Sequence, residues 1–195
     1  NSRFLSKDII TEFRGRGDEI HIFPLTFKEF MQVYTGDMYH GWADYMLYGG
    51  LPLTVTMKTE EQKVSYLTRL FEETYLKDII ERHHIEKTQE LEDLVDILAS
   101  AVGSLTNVPK IESTFRSVLQ SKISGNTIRQ YIEYLEDAFI IHKANRYNVK
   151  GRKYIGTPVK YYFEDVGLRN ARLRFRQTEE THLMENIIYN ELRSR

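Results

Sequence analysis

The stretch SGNTIRQYIEYLEDAFIIHKANRY, residues 124–147, changes its hydrophobic period part-way along. Ile128, Ile132, Leu135 and Phe139 fall on one helical stripe, so the spacing predicts a helix over 126–141. Ser124 stands where an N-cap belongs, its hydroxyl free to accept from the first-turn amides. The pattern then turns to that of a hairpin: IIHKANRY, the polar loop NVKGRKYIGT, and PVKYYFED. Upstream, NVPKIESTFRSVLQ predicts a helix opened near Pro109, and SKISG reads as a short turn. Helix, tight turn, helix and trailing hairpin together read as a winged helix-turn-helix over 104–176.

Further upstream the pattern is helical. Leu91, Leu94, Val95, Leu98 and Ala99 predict an amphipathic helix over 88–103. Val64, Leu67, Leu70, Phe71, Tyr75, Ile79 and Ile80 predict a long one over 60–84. Residues 72–96 carry nine acidic side chains against three basic ones, which reads as a solvated helix surface. GGLP (49–52) ends a helix over 42–48, and Gly36 and Gly41 break the pattern before it. Thr26 and Glu29 form a capping box, so a helix starts near Phe27 and carries Phe27, Phe30, Met31 and Tyr34. Residues 19–23, EIHIF, alternate as a strand half-buried on one face, with Ile20 and Ile22 to one side and Glu19, His21 and Phe23 to the other, and Pro24 ends it. Phe4, Leu5, Ile9 and Phe13 predict a short helix over 3–14. Leu183, Ile187, Ile188 and Leu192 predict a last helix over 181–193 with those residues inward.

The chain has 195 residues, 41% of them hydrophobic, enough for a substantial core. It has no cysteine, which excludes disulfides and thiolate metal sites and fits a cytoplasmic setting. No apolar run is long enough to span a bilayer, so no membrane association is expected. The sequence begins at Asn1 without a methionine and stops at Arg195 inside a helical pattern, as a piece of a longer protein would. It holds no phosphate-loop, dinucleotide, nucleophile-elbow or H-E-x-x-H motif. No two of its six histidines share metal-ligand spacing on a helix face, so no metal site is expected from them.

The net charge of −1 conceals an asymmetry. From His142 to Arg176 there are ten Lys or Arg against Glu164 and Asp165, ten minus two leaving +8. Arg146, Lys150, Arg152 and Lys153 fall on or beside the expected wing, interleaved with tyrosines. A basic wing is how such a fold meets a phosphate backbone. Asn126, Thr127, Arg129 and Gln130 fall on the exposed side of the helix before it, and Asn, Gln and Arg can read base edges bidentately. These residues nominate double-stranded DNA as a partner. Glu133, Glu136 and Asp137 on the same helix oppose it, and many winged helices bind protein instead.

Six blocks in order, FRGRGDEIHIFPLTFKEF (13–30), GGLP, YLKDIIER (75–82), SGNTIRQYIEYLEDAFII, KYYFEDVGLRNA (160–171) and MENIIYNEL (184–192), resemble a known family. It is the bacterial and archaeal AAA-type ATPase family whose P-loop domain is followed by a winged-helix and nuclease-like domain. The resemblance covers nearly the whole chain. It implies a mainly α fold with minor β: the tail of an AAA-type α/β ATPase domain with lid helices over 1–58, a helical connector over 59–103, the winged helix over 104–176, and the first helix of a nuclease-like domain over 177–195. It places Asn1 just after the strand carrying the sensor-1 polar residue. It makes Arg16, and less so Arg14, candidate arginine fingers that reach a neighbouring subunit's γ-phosphate through self-association in trans. It makes Glu185 a candidate nuclease-like acid.

The family's Walker motifs would lie upstream of Asn1, so ATP and Mg²⁺ belong to the intact protein and neither is expected in this fragment. The resemblance thus points to an ATP-binding, ATP-hydrolysing protein whose winged helix contacts DNA or a protein partner. The alternatives are a non-catalytic winged-helix module and a PD-(D/E)xK-like nuclease.

Overall fold

A computed structural model describes residues 20–145, 158–176 and 179–195. Among the described residues the chain is mainly helical with one two-stranded sheet. The helix expected at 3–14 and the first residue of the strand expected at 19–23 lie outside the described residues.

Thr26 and Glu29 do form a capping box, opening α1 (Phe27–Val33). Asp37 caps α2 (Met38–Tyr48), and Gly49, with φ +75°, ends it in the left-handed region. Gly41 does not break this helix. It lies within α2 and lets Met31 of α1 pack against the backbone. Pro52 opens the short α3 (Pro52–Thr56). One continuous helical rod follows: α4 (Glu60–Arg69), a π-helical segment (Leu70–Leu76) and α5 (Lys77–Arg82). The π turns let Leu67, Phe71, Leu76 and Ile79 all reach the core, which a uniform 3.6-residue period over this length does not do. The five inward residues expected of α6 (Thr88–Ser100) are the five it buries.

Asn107 caps α7 (Val108–Ser117), and Ser124 caps α8 (Gly125–Asp137). α8 stops earlier than its apolar stripe predicts. Phe139 adopts φ +54°, and the amide of Ile140 bonds the Leu135 carbonyl as the chain turns into β1 (Ile141–Ala144). β1 pairs antiparallel with β2 (Lys160–Phe163), Ile141 opposite Phe163. Residue Thr106, between α6 and α7, adds a rung on the other side of β2. Its amide and carbonyl exchange 2.8 Å bonds with Val159. α9 (Val166–Arg172) and α10 (Glu180–Arg193) complete the chain.

The main core joins α4 to α9 and both strands, with Phe71, Phe115 and Phe163 among its fully buried side chains. A second cluster gathers Phe30, Tyr45, Val166, Leu183 and Ile187. Buried from Val166 to Ala171, α9 stands between the two.

Three expectations are corrected by packing. Residues 20–23 are extended but belong to no strand among the described residues: Ile20 and Ile22 are 84% and 88% exposed while His21 and Phe23 turn inward. His21 finds an acid there, Glu164, and an aromatic cleft beside Phe139. On α10, Ile188 and Leu192 face outward. Asn186 takes the buried position, because its amide closes on both backbone groups of Phe163. The acidic stretch is not wholly a solvated surface either, since Asp96 and Glu92 hold Arg172.

Candidate functional site

α8 presents its first two turns outward. Ser124 Oγ accepts from the Thr127 amide at 3.1 Å, which satisfies one of the free N–H groups and fixes where the helix begins. Asn126, Arg129 and Gln130 are exposed, and Thr127 is half-buried with its hydroxyl 2.9 Å from that of Ser124. Arg129 Nη1 donates to Asn126 Oδ1 at 2.6 Å, and Gln130 Nε2 donates to the Tyr134 hydroxyl at 2.6 Å. Three of the four residues nominated for base contact thus share one exposed surface, held by bonds that water or a ligand can replace. Glu133 is exposed on the same helix. The turn before α8 carries Gln120 at φ +53° and exposes Val118 and Leu119.

Arg146, Lys150, Arg152 and Lys153 lie outside the described residues, as do Asn1, Arg14 and Arg16. The basic surplus nearby is smaller than the sequence count implies. Lys160 Nζ donates to Glu185 Oε1 at 2.6 Å. Arg169 is buried and donates through Nε to the Ala99 carbonyl at 2.9 Å, and burial pushes its guanidinium down to about 10. Arg172 grips Asp96 with two nitrogens, at 2.5 and 2.9 Å, and burial is outweighed by Asp96 and Glu92, which hold its pKa up. Three of the ten cations therefore serve the fold.

KYYFEDVGLRNA, the most specific block, is a junction. Asp165 caps α9 through the Leu168 amide at 3.1 Å and accepts from the Gly50 amide at 2.7 Å. Burial pushes its carboxyl up to about 6 against the backbone N–H groups that hold it down. Asn170 Nδ2 donates to the Met46 and Leu47 carbonyls at the end of α2. Glu164 takes His21 Nε2 at 2.7 Å, His142 Nε2, and Arg193 Nη1 at 3.3 Å. Burial, Arg193 and His21 push His142 down to about 3, so a neutral ring donates to Glu164. No sequence spacing announces this cluster: 143 residues separate His21 from Glu164. The signal in the sequence was the pair of consecutive acids in YFED inside an otherwise apolar block.

Glu185 accepts from Lys160 and from the Tyr162 hydroxyl. Burial raises its carboxyl, but Lys160 and Tyr162 more than offset that and leave it below the usual range. Among the described residues no group of three His, Asp or Glu is arranged to hold a metal ion, and no helix is long and apolar enough to cross a membrane.

The family model for the Domain of unknown function (DUF8612) matches residues 39–179. The chain belongs to the DUF8612 family. The DUF8612 match runs from the second residue of α2 to the N-cap of α10, so the Glu164–Asp165 junction and the α7–α8 unit both lie inside it. An uncharacterized protein of Haemophilus influenzae is 34% identical over 98% of the chain and 49% of its own length. The uncharacterized protein MJ1544 of Methanocaldococcus jannaschii is 28% identical over 100% of the chain and 46% of its own length. The chain thus spans about half the length of the curated relatives it matches. No solved structure matches it.

Proposed function

We propose that this DUF8612 chain is the DNA-contacting part of a longer, AAA-type ATP-hydrolysing protein, with α6 to β2 working as a winged helix. The order of elements carries the reading: α6, the Thr106 rung, α7, a turn, α8, β1, a loop, and β2 in the middle of the three extended segments. In this reading α8 would be the recognition helix, and the exposure of Asn126, Arg129 and Gln130 on it supports contact with base edges. Arg146, Lys150, Arg152 and Lys153 fall in the sequence between β1 and β2 and would supply phosphate contacts in this reading.

The ATPase part of the proposal draws on the ordered sequence blocks and on Ile20 and Ile22. Two isoleucines alternating outward on an extended segment fit a strand that seats against another part of the longer protein. ATP and Mg²⁺ would bind in that other part, with Arg16 as the finger acting in trans. The nuclease alternative draws less support, because Lys160 and Tyr162 already occupy Glu185.

Fluorescence anisotropy with a labelled duplex at low salt tests the DNA reading. Binding should weaken steeply with salt. The double substitution Arg129→Ala and Gln130→Ala, and neutralisation of Lys150, Arg152 and Lys153, should each lower affinity about tenfold or more. No binding, or binding indifferent to both sets, rejects it. In the intact protein Arg16→Ala should lower ATP turnover at least about tenfold with nucleotide still bound. Unchanged turnover removes the finger.

A protein partner on the same unit is favoured by Val118 and Leu119, exposed in the turn, and by Glu133, which repels a duplex. In that case the titration stays flat and Val118→Asp releases the partner.

A further inference from the structure

α8 carries two side-chain pairs on its outward face, and they leave different groups for a ligand. Arg129 Nη1 donates to Asn126 Oδ1, so the Asn126 oxygen is turned to a neighbour on its own helix. Gln130 Nε2 donates to the Tyr134 hydroxyl, one turn further on, at 2.6 Å. A primary amide has two N–H groups and one oxygen, so Gln130 keeps an N–H and Oε1 for a partner. A donor beside an acceptor on one planar group matches the N6 and N7 edge of adenine. It mismatches guanine, whose N7 and O6 both accept.

Tyr134 is held from outside its own helix. Its half-buried ring stacks flat on the His83 imidazole, with centroids 3.5 Å apart and planes within 7°. The ring of buried Tyr131 lies 6.4 Å from it. His83 ends α5, and its amide donates to the Ile79 carbonyl at 3.1 Å, so its own position is set by the helix. The Tyr131 hydroxyl reaches the Lys87 carbonyl at 3.5 Å, which gives the turn after α5 a second contact with α8. An exposed glutamine otherwise samples many rotamers, and ordering it costs entropy. A fixed hydroxyl beneath its amide removes part of that cost before any base arrives.

We propose that His83 and Tyr134 position Gln130 as an adenine reader on α8, His83 supplying a flat ring and Tyr134 a fixed hydroxyl. This rests on the reading of α8 as a DNA-recognition helix. It makes the end of α5, which lies outside the α6–β2 unit, part of what sets base preference. The bond to Tyr134 persists when the base binds, because it uses only one of the two N–H groups.

The probe is a pool of duplexes with a randomised core, selected on the full chain at low salt and sequenced. One position of the selected site should be adenine. Guanine there, or an adenine analogue lacking N7, should lower affinity about tenfold. Gln130→Ala should lose that preference. Tyr134→Phe keeps the ring and removes the hydroxyl, and His83→Ala removes the stack. Each should erase most of the preference while leaving the salt dependence, which reports phosphate contacts, unchanged. His83→Phe should keep the preference, because a flat ring is what the position supplies. A general loosening of the fold would instead weaken all duplexes alike, and circular dichroism checks each variant. A preference that survives both Tyr134→Phe and His83→Ala overturns the proposal. So does a selected site in which no position answers to Gln130→Ala. In both cases the DNA reading stands, whereas a chain that binds no duplex overturns both.

Discussion

Glu164 is one carboxylate shared among two imidazoles and a guanidinium, drawn from residues 21, 142 and 193. Its value to the fold lies in that sharing, because a buried charge is tolerated only when its oxygens are occupied. His142 bears the consequence. Its folded-state pKa is depressed to about 3, below the ordinary 6.5, so the native state keeps it neutral while the unfolded chain takes up a proton. The stability that neutral His142 contributes is therefore complete above pH about 6.5 and is lost as pH falls toward 3. The thermal midpoint should drop on acidification, and it should drop less steeply in His142→Gln, which keeps a donor toward Glu164 and has no proton to gain. Identical acid slopes in the two proteins would remove His142 from the account.

At the scale of elements the close approach of α9 to the end of α2 decides much. A Cβ on Gly167 would lie 2.1 Å from the Tyr48 carbonyl oxygen, a backbone atom with nowhere to go. Gly167→Ala should therefore cost about 2–3 kcal/mol by overpacking, read as a shift of the denaturant midpoint with the slope unchanged. A loss under about 0.5 kcal/mol would show that α9 and α2 can part cheaply. The start of α8 is a milder case. Ser124→Ala removes the cap bond to Thr127 and should cost about 1 kcal/mol, visible in the same titration.

For the whole molecule, the question is whether two clusters make one cooperative unit. α9 faces both, and Asp165, Asn170 and Arg169 tie it to Gly50, to α2 and to α6. Trp42, the single tryptophan, packs with the second cluster against Phe27. Its fluorescence and the far-ultraviolet circular dichroism should report one coincident unfolding transition. Two separated transitions would mean that the α1–α2–α10 cluster melts on its own.

Local signals were legible wherever a short stretch settles its own hydrogen bonds. The Thr26–Glu29 box, the Ser124 cap, the GGLP stop, the inward stripe of α6 and the pairing of β1 with β2 all depend on residues a few positions apart, or on a period of two or 3.6. For residues 20–23 alternation alone says that the sides differ and not which side finds a partner, and it is His21 that meets Glu164. Arg172 was counted as a free cation, because Asp96 and Glu92 lie about 80 residues away in the chain.

By itself the sequence determined a mainly helical chain, the caps at Thr26 and Ser124, the stop at GGLP and the exposed Asn126, Arg129 and Gln130 that nominate a binding face. Those depend on backbone geometry and near neighbours. Only the tertiary structure decided that FEDVGLRNA is a buried junction, that Asn186 displaces an apolar residue from the core face of α10, and that Ile188 and Leu192 are left outside. Which oxygen meets which distant N–H is set by how whole helices pack, and no local period encodes that.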